Sequence, residues 1–157
     1  MAIFVCVIGL LGIYSLVPRI ISTIAVNFDR FVAVQLAREG LEIVRNIRDT
    51  NMIARTGPWR DDLDNCLDTI GGCEVDYQTP TVPDPVPLVY SGNYLRINNE
   101  GFFNYTSGDP TKFQRRVSIV PAPDDSYIEV TVEVYWRDPA EDEINTLVLE
   151  EWLYDWR

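Results

Sequence analysis

Histidine is absent from the 157 residues. With it go the commonest general base, the commonest metal ligand and the usual Ser/His and Cys/His nucleophile pairs. Basic residues are scarce: 13 Lys and Arg stand against 24 Asp and Glu, a net charge of −11 and a pI near 4.3. A surface of that sign repels a phosphate backbone, so nucleic acid is not expected as a partner. Most arginines lie between Arg19 and Arg60, while acids dominate 61–76 and 124–151. The first eighteen residues carry no side-chain charge of either sign. No remaining set of residues forms a catalytic constellation, and Glu129 and Glu133 read as solvated carboxylates on one strand face. The expectation is a protein with neither enzymatic activity nor a cofactor.

What fills the charge-free start is the run from Met1 to Pro18, close to the ~20 apolar residues that span a bilayer as a helix. Apolar character returns after Arg19 in Ile20-Ile-Ser-Thr-Ile-Ala-Val26. A cleaved secretory signal has a basic start and a small-residue cleavage site, whereas here the basic residue follows the run. Two readings stay open: a plain membrane anchor, or a helix held by lipid before assembly and by neighbouring helices afterwards. Gly9, Gly12 and Pro18 interrupt the run and argue against an ordinary core helix. Cys6 within it reads as a small buried hydrophobe.

From Asn27 to about Arg55 the period becomes that of an amphipathic helix. Val34, Ala37, Leu41 and Val44 form one apolar row, with Leu36, Gly40, Ile43 and Ile47 beside it. Arg38 with Glu42, and Arg45 with Asp49, stand four apart and are expected to pair. Gly57-Pro58 stops the helix. A helix over all of this covers about 55 residues, or about 80 Å at 1.5 Å per residue.

Residues 56–157 read as a β-rich head. Cys66 and Cys73 flank a turn-rich stretch, Leu-Asp-Thr-Ile-Gly-Gly, and a disulfide formed in an oxidising compartment is the natural reading, against two free thiols. Zinc is not expected, since neither a second Cys pair nor a His completes four ligands. The segment 79–87 holds four prolines in nine residues and is expected to be extended and exposed. Short strands are expected at 74–78, 88–90, 94–98 and 101–105, and long ones at 112–120, 126–137 and 145–156. In the second long strand Ile128, Val130, Val132, Val134 and Trp136 alternate with Glu129, Thr131 and Glu133. Three sequential strands with short connections make an antiparallel meander, and the amphipathic helix half is the element able to cover one face. The fold class is α+β: a long protruding N-terminal α-helix packed by its C-terminal half on an antiparallel β-sheet meander. Its divisions are an apolar transmembrane or filament-core helix (1–26), an amphipathic half (27–55) and the head (56–157).

This order of parts resembles type IV pilins and pseudopilins, and so does their lollipop shape. The stretch Ala2-Ile-Phe-Val-Cys-Val-Ile-Gly-Leu-Leu-Gly-Ile-Tyr-Ser-Leu16 resembles their hydrophobic helix. Residues 35–51 resemble a helix of bacterial proteins with prepilin-type N-termini, and the closing Asp155-Trp-Arg157 fits that group. The family's basic leader, its Gly-Phe junction and the early glutamate that pairs with a neighbour's amine are not among these residues. Either the mature chain starts upstream, or the subunit assembles without that pair. The resemblance implies inner-membrane anchoring before assembly, the pilus assembly machinery as a partner, and an extracellular filament of identical subunits. It implies core packing through Ile3, Phe4, Val7, Ile8, Leu10, Leu11, Ile13, Tyr14, Leu16 and Val17. It also implies local melting, to which Gly9, Gly12 and Pro18 would yield.

Physical chemistry points the same way. Residues 1–18 outside a membrane must be buried, since exposing them costs several kcal/mol at ~25 cal/mol per Å². Identical helices are the abundant partner, and a heterologous contact that does not close builds a filament. A minor pilin, a secretion-system pseudopilin, or a membrane-anchored domain binding glycans or surfaces are the alternatives. Asn104-Tyr-Thr106 matches the N-glycosylation triplet, and Thr79 and Thr81 are candidate O-glycan sites. Trp152, Tyr154 and Trp156 alternate on one face and suit either a ligand or a neighbouring element. Asp61-Asp-Leu-Asp-Asn65 and Glu141-Asp-Glu143 lack the spacing of a calcium loop and read as solvated acidic turns.

Overall fold

The computed structural model describes the backbone of residues 2–54, 57–79, 87–137 and 143–156, and helical side chains from Thr23 onward together with Tyr14. Its first element is the helix α1, Ala2–Ala54. The chain divides into two compact units, Met1–Val32 and Ala33–Arg157. In the first unit α1 continues through Gly9, Gly12 and Pro18. A helical proline lacks the N–H that would bond the carbonyl four residues back and strains the turn before it, yet a long helix can absorb one such defect.

In the second unit Ala33, Leu36, Ala37, Leu41, Ile43, Val44, Ile47 and Met52 are buried, while Gln35, Arg38, Glu42, Asn46 and Thr50 are exposed. The threes-and-fours spacing of the apolar residues therefore does set the packed face. Within the expected row only Val34 is no more than half-buried. The ion pairs differ from expectation. Arg45 bonds Glu42 one turn back and Glu151 on the sheet, the latter at 2.6 Å, and Asp49 is taken by Arg48. Arg45 thus reaches the sheet that α1 packs against, while Asp49 is engaged by its own neighbour. Asn51 closes the helix by donating from Nδ2 to the Asp61 carbonyl at 2.8 Å.

The sheet holds β1 (Cys73–Glu74), β2 (Leu88–Val89), β3 (Tyr94–Ile97), β4 (Phe103–Asn104), β5 (Asp109–Pro121), β6 (Tyr127–Arg137) and β7 (Ile144–Tyr154). Long β5 is its spine. Along one edge its first half pairs with β3, which carries β4, and Val117 in its second half pairs with Cys73 of β1, which carries β2. Along the other edge lies β6, then β7, all antiparallel. The expected meander is thus present, extended on its β5 side by four short strands. Alternation holds in β6, where Ile128, Val130, Val132, Val134 and Trp136 are buried and the residues between them half-exposed. The structure is α+β, with the C-terminal part of α1 packed on an antiparallel sheet.

The helix–sheet contact has an unusual centre. Arg115 on β5 is fully buried. Its Nη1 donates to the Leu36 carbonyl at 2.9 Å and its Nη2 to the Val75 carbonyl, and a Glu39 carboxylate oxygen lies 3.5 Å away. Its stem runs beside Gly40, where an added Cβ would sit 3.0 Å from Arg115 Cδ and 3.1 Å from Val132 Cγ1. A glycine inside a helix normally costs up to ~1 kcal/mol, so its presence here follows from the room the guanidinium needs.

Candidate assembly surfaces

In the first unit, Ile24, Phe28 and Phe31 are 62%, 64% and 60% exposed. They stand four and three residues apart, which puts them on one face of the helix. Thr23, Ala25, Asn27 and Arg30 are exposed around them. Tyr14, among the expected filament-core residues, is also strongly exposed. The side chains of Ile3, Phe4, Val7, Ile8, Leu10, Leu11, Ile13, Leu16 and Val17 lie outside the described residues. Among the described residues no helix is long and apolar enough to cross a membrane.

The head offers a second surface. The face of β7 turned away from the helix presents Ile144, Val148, Trp152 and Tyr154, all exposed, and Trp156 follows just beyond the strand. Tyr127 on β6 meets Tyr154 ring to ring at 5.6 Å. Arg116 on β5 bridges Glu133 at 2.7 Å and Asp68 at 2.8 Å on the same side of the sheet. Burial, with Glu133 beside it, pushes the Tyr135 hydroxyl up to about 12.

Cys66 and Cys73 form the expected disulfide, with Cα atoms 4.4 Å apart. It ties the short 3₁₀ turn Asp64–Cys66 to β1. Gly72 makes this approach possible: its φ is +82°, and a Cβ there would lie 2.5 Å from the Val117 carbonyl oxygen. Glu74, directly after Cys73, is buried and clamps the 91–93 turn. Its carboxylate accepts from Ser91 N–H (3.1 Å), Asn93 N–H (2.9 Å) and Asn93 Nδ2 (2.8 Å). Asp76, also buried, accepts from Gln78 N–H at 3.0 Å and Tyr105 N–H at 3.1 Å. These two carboxylates line a hollow of about 280 Å³ with Thr79, Leu88 and Tyr105. Their bonds to backbone amides give both a structural task.

The glycan candidates change accordingly. Asn104 is fully buried. Its Oδ1 accepts from Ser107 N–H at 2.7 Å and Thr106 N–H at 2.9 Å, and its Nδ2 faces the Phe102 carbonyl. The triplet is thus an Asx-type turn inside the fold, which withdraws Asn104 as an acceptor in the folded chain. Thr79 Oγ1 accepts from Asp76 N–H at 2.9 Å, and Thr81 lies outside the described residues. Asp61, Asp62, Asp64 and Asn65 line an open hollow. Among the described residues no group of three His, Cys, Asp or Glu is placed to hold a metal ion; Glu141 and Asp142 lie outside them. Sequence reasoning missed the roles of Glu74 and Asp76. Buried acids in a β-rich loop carry no period, and only the adjoining Ser-Gly-Asn and Asp-Tyr-Gln-Thr turn chemistry hints at them.

Comparison of the chain with protein-family models, with curated proteins and with solved structures gives no match.

Proposed function

We propose that the chain is a structural subunit of a type IV pilus-like extracellular filament, polymerising through its N-terminal hydrophobic helix. The observation that carries this reading is the apolar face at Ile24, Phe28 and Phe31, exposed on a helix of 53 residues. The sequence continues the same alternation of threes and fours backward through Ile21, Val17, Tyr14, Leu10, Val7 and Ile3. Nine apolar residues keep this heptad spacing, and those outside the Gly9–Pro18 stretch, Ile3, Val7, Ile21, Ile24, Phe28 and Phe31, give the helix what it needs to pack along other helices. The flanking positions Ala25, Asn27 and Val32 are uncharged, so more than one neighbour can approach without like-charge repulsion. The alternation ends at Gln35, and between Ala33 and Met52 the helix buries most of its apolar residues within its own unit.

Before assembly the run from Met1 to Pro18 is held in the inner membrane, and the assembly machinery draws it out. In the filament the stretch between Gly9 and Pro18 is extended, because the two glycines and the proline make that part of α1 the cheapest to unwind. The test is assembly itself. Ile8→Arg and Phe28→Glu are expected to abolish filaments seen by negative stain, with the head still folded and its disulfide intact. Filaments of normal yield from both variants would contradict the reading. A domain displayed singly on the envelope would give no filaments from the parent chain either.

A further inference from the structure

We propose that β7 is a self-pairing edge, through which two copies of the chain join their sheets by antiparallel β7–β7 pairing centred on Val148. The strand is eleven residues long and pairs with β6 from end to end without a register shift. Among the described residues no strand lies along its other edge. Natural edges are blunted by lysine, proline, a bulge, brevity or charge, and of these Ile144-Asn-Thr-Leu-Val-Leu-Glu-Glu-Trp-Leu-Tyr154 has charge alone. Its only charges are Glu150, exposed, and Glu151, which Arg45 holds from the helix.

The occupant follows from how those two charges are placed. In antiparallel pairing, directly opposed residues share a face. With Val148 opposite itself, Ile144 meets Trp152 of the second copy and Leu147 meets Leu149. Glu150 then meets Thr146, and Glu151 meets Asn145, each able to donate a hydrogen bond to a carboxylate. Neighbouring registers fail. Centring on Leu149 sets Glu150 against Val148 and Glu151 against Leu147. A centre at Glu150 opposes like charges directly, and a centre at Leu147 sets Glu151 against Glu143. Only one even-handed register matches apolar to apolar and acid to donor, and a strand complementary to itself selects a second copy of this chain.

The contact is two-fold and closed, so it makes pairs and does not lengthen a filament. Between assembled filaments it is a lateral link; between free subunits it is a dimer. It uses none of the residues of the α1 apolar face.

Cysteine cross-linking of the full chain in detergent micelles tests it, in a Cys6→Ala background that leaves the Cys66–Cys73 bond in place. Opposed Cα atoms about 4.5–5.5 Å apart fall within disulfide reach. Under mild oxidation Val148→Cys is expected to form disulfide dimers at least about tenfold faster than Thr146→Cys, and Thr146→Cys mixed with Glu150→Cys to form the heterodimer. Equal rates at 148 and 146, or no cross-link from folded protein at any of these positions, would overturn the proposal. Cross-linking at 148 in a chain that forms no filaments would leave this inference standing and remove the filament reading.

Discussion

Arg115 shows most clearly what single residues decide in this fold. Strand alternation places it inward with Phe113, Val117 and Ile119, and the structure agrees. Alternation does not say how a buried guanidinium is tolerated. The answer lies in carbonyls of two distant segments, Leu36 and Val75, and in the missing side chain at Gly40. Such long-range satisfaction has no signature in local spacing. Replacing Arg115 with Met removes the guanidinium's bonds to both carbonyls, of which Leu36 keeps its helical partner, and is expected to cost about 2–4 kcal/mol in chemical denaturation. Gly40→Ala is expected to destabilise the parent chain, against the usual gain of ~1 kcal/mol for that change in a helix. In the Arg115→Met background it should cost less, because the flexible thioether can move aside; equal costs in both backgrounds would refute the coupling.

Tyr135 sets a pH dependence. Its hydroxyl is raised from 10.0 to about 12 by burial and by Glu133, and burial raises Tyr105 as well. A group whose folded value lies above its unfolded one contributes stability that is complete below the unfolded value. That stability is lost as pH rises from 10 toward 12, where the unfolded chain ionises first. Thermal melts should therefore show a fall in Tm over that window, shallower in Tyr135→Phe. An identical alkaline profile in the variant would remove Tyr135 as the source.

At the scale of elements, the helix and the long strands were legible because each has one dominant period. β6 alternates over its whole length, and α1 changes from a largely apolar run to an amphipathic stripe from Asn27 onward. The short strands were legible only roughly, because β1, β2 and β4 have two residues each and are held by what they pair with. The triplet at Asn104 shows the opposite case: a recognisable motif whose asparagine is buried by tertiary packing that its spacing does not foretell. The disulfide was readable from spacing, and its contribution can be measured. Closing a loop of this size is worth about 2–3 kcal/mol in the chain-entropy account. The Cys66→Ala/Cys73→Ala variant should lose about that much stability, with the α1–β5 contact retained; an unchanged unfolding midpoint would mean that Glu74 and the 91–93 turn hold β1 without it.

For the whole molecule, composition excluded more than it assigned. The absence of histidine and the net charge of −11 narrow the chemistry, while assembly has to be argued from surfaces left uncovered. Two are on view, the apolar face of α1 at Ile24, Phe28 and Phe31 and the open edge at β7, and they suit different symmetries. The first can repeat along an axis and the second can only pair. High salt should therefore leave the proposed filament contact intact, since its face is apolar and the nearest positions Ala25, Asn27 and Val32 are uncharged. Disassembly on raising ionic strength would point to a contact of another kind.

The most direct measurement is a filament map of the full chain by electron cryomicroscopy. The expected map has a core of parallel α1 segments from neighbouring subunits, with Ile24, Phe28 and Phe31 buried between them, heads outside, and backbone extended between Gly9 and Pro18. A filament held together by head contacts alone, with Phe28 and Phe31 facing solvent, would contradict it, and a helix unbroken through Pro18 would contradict the melting step.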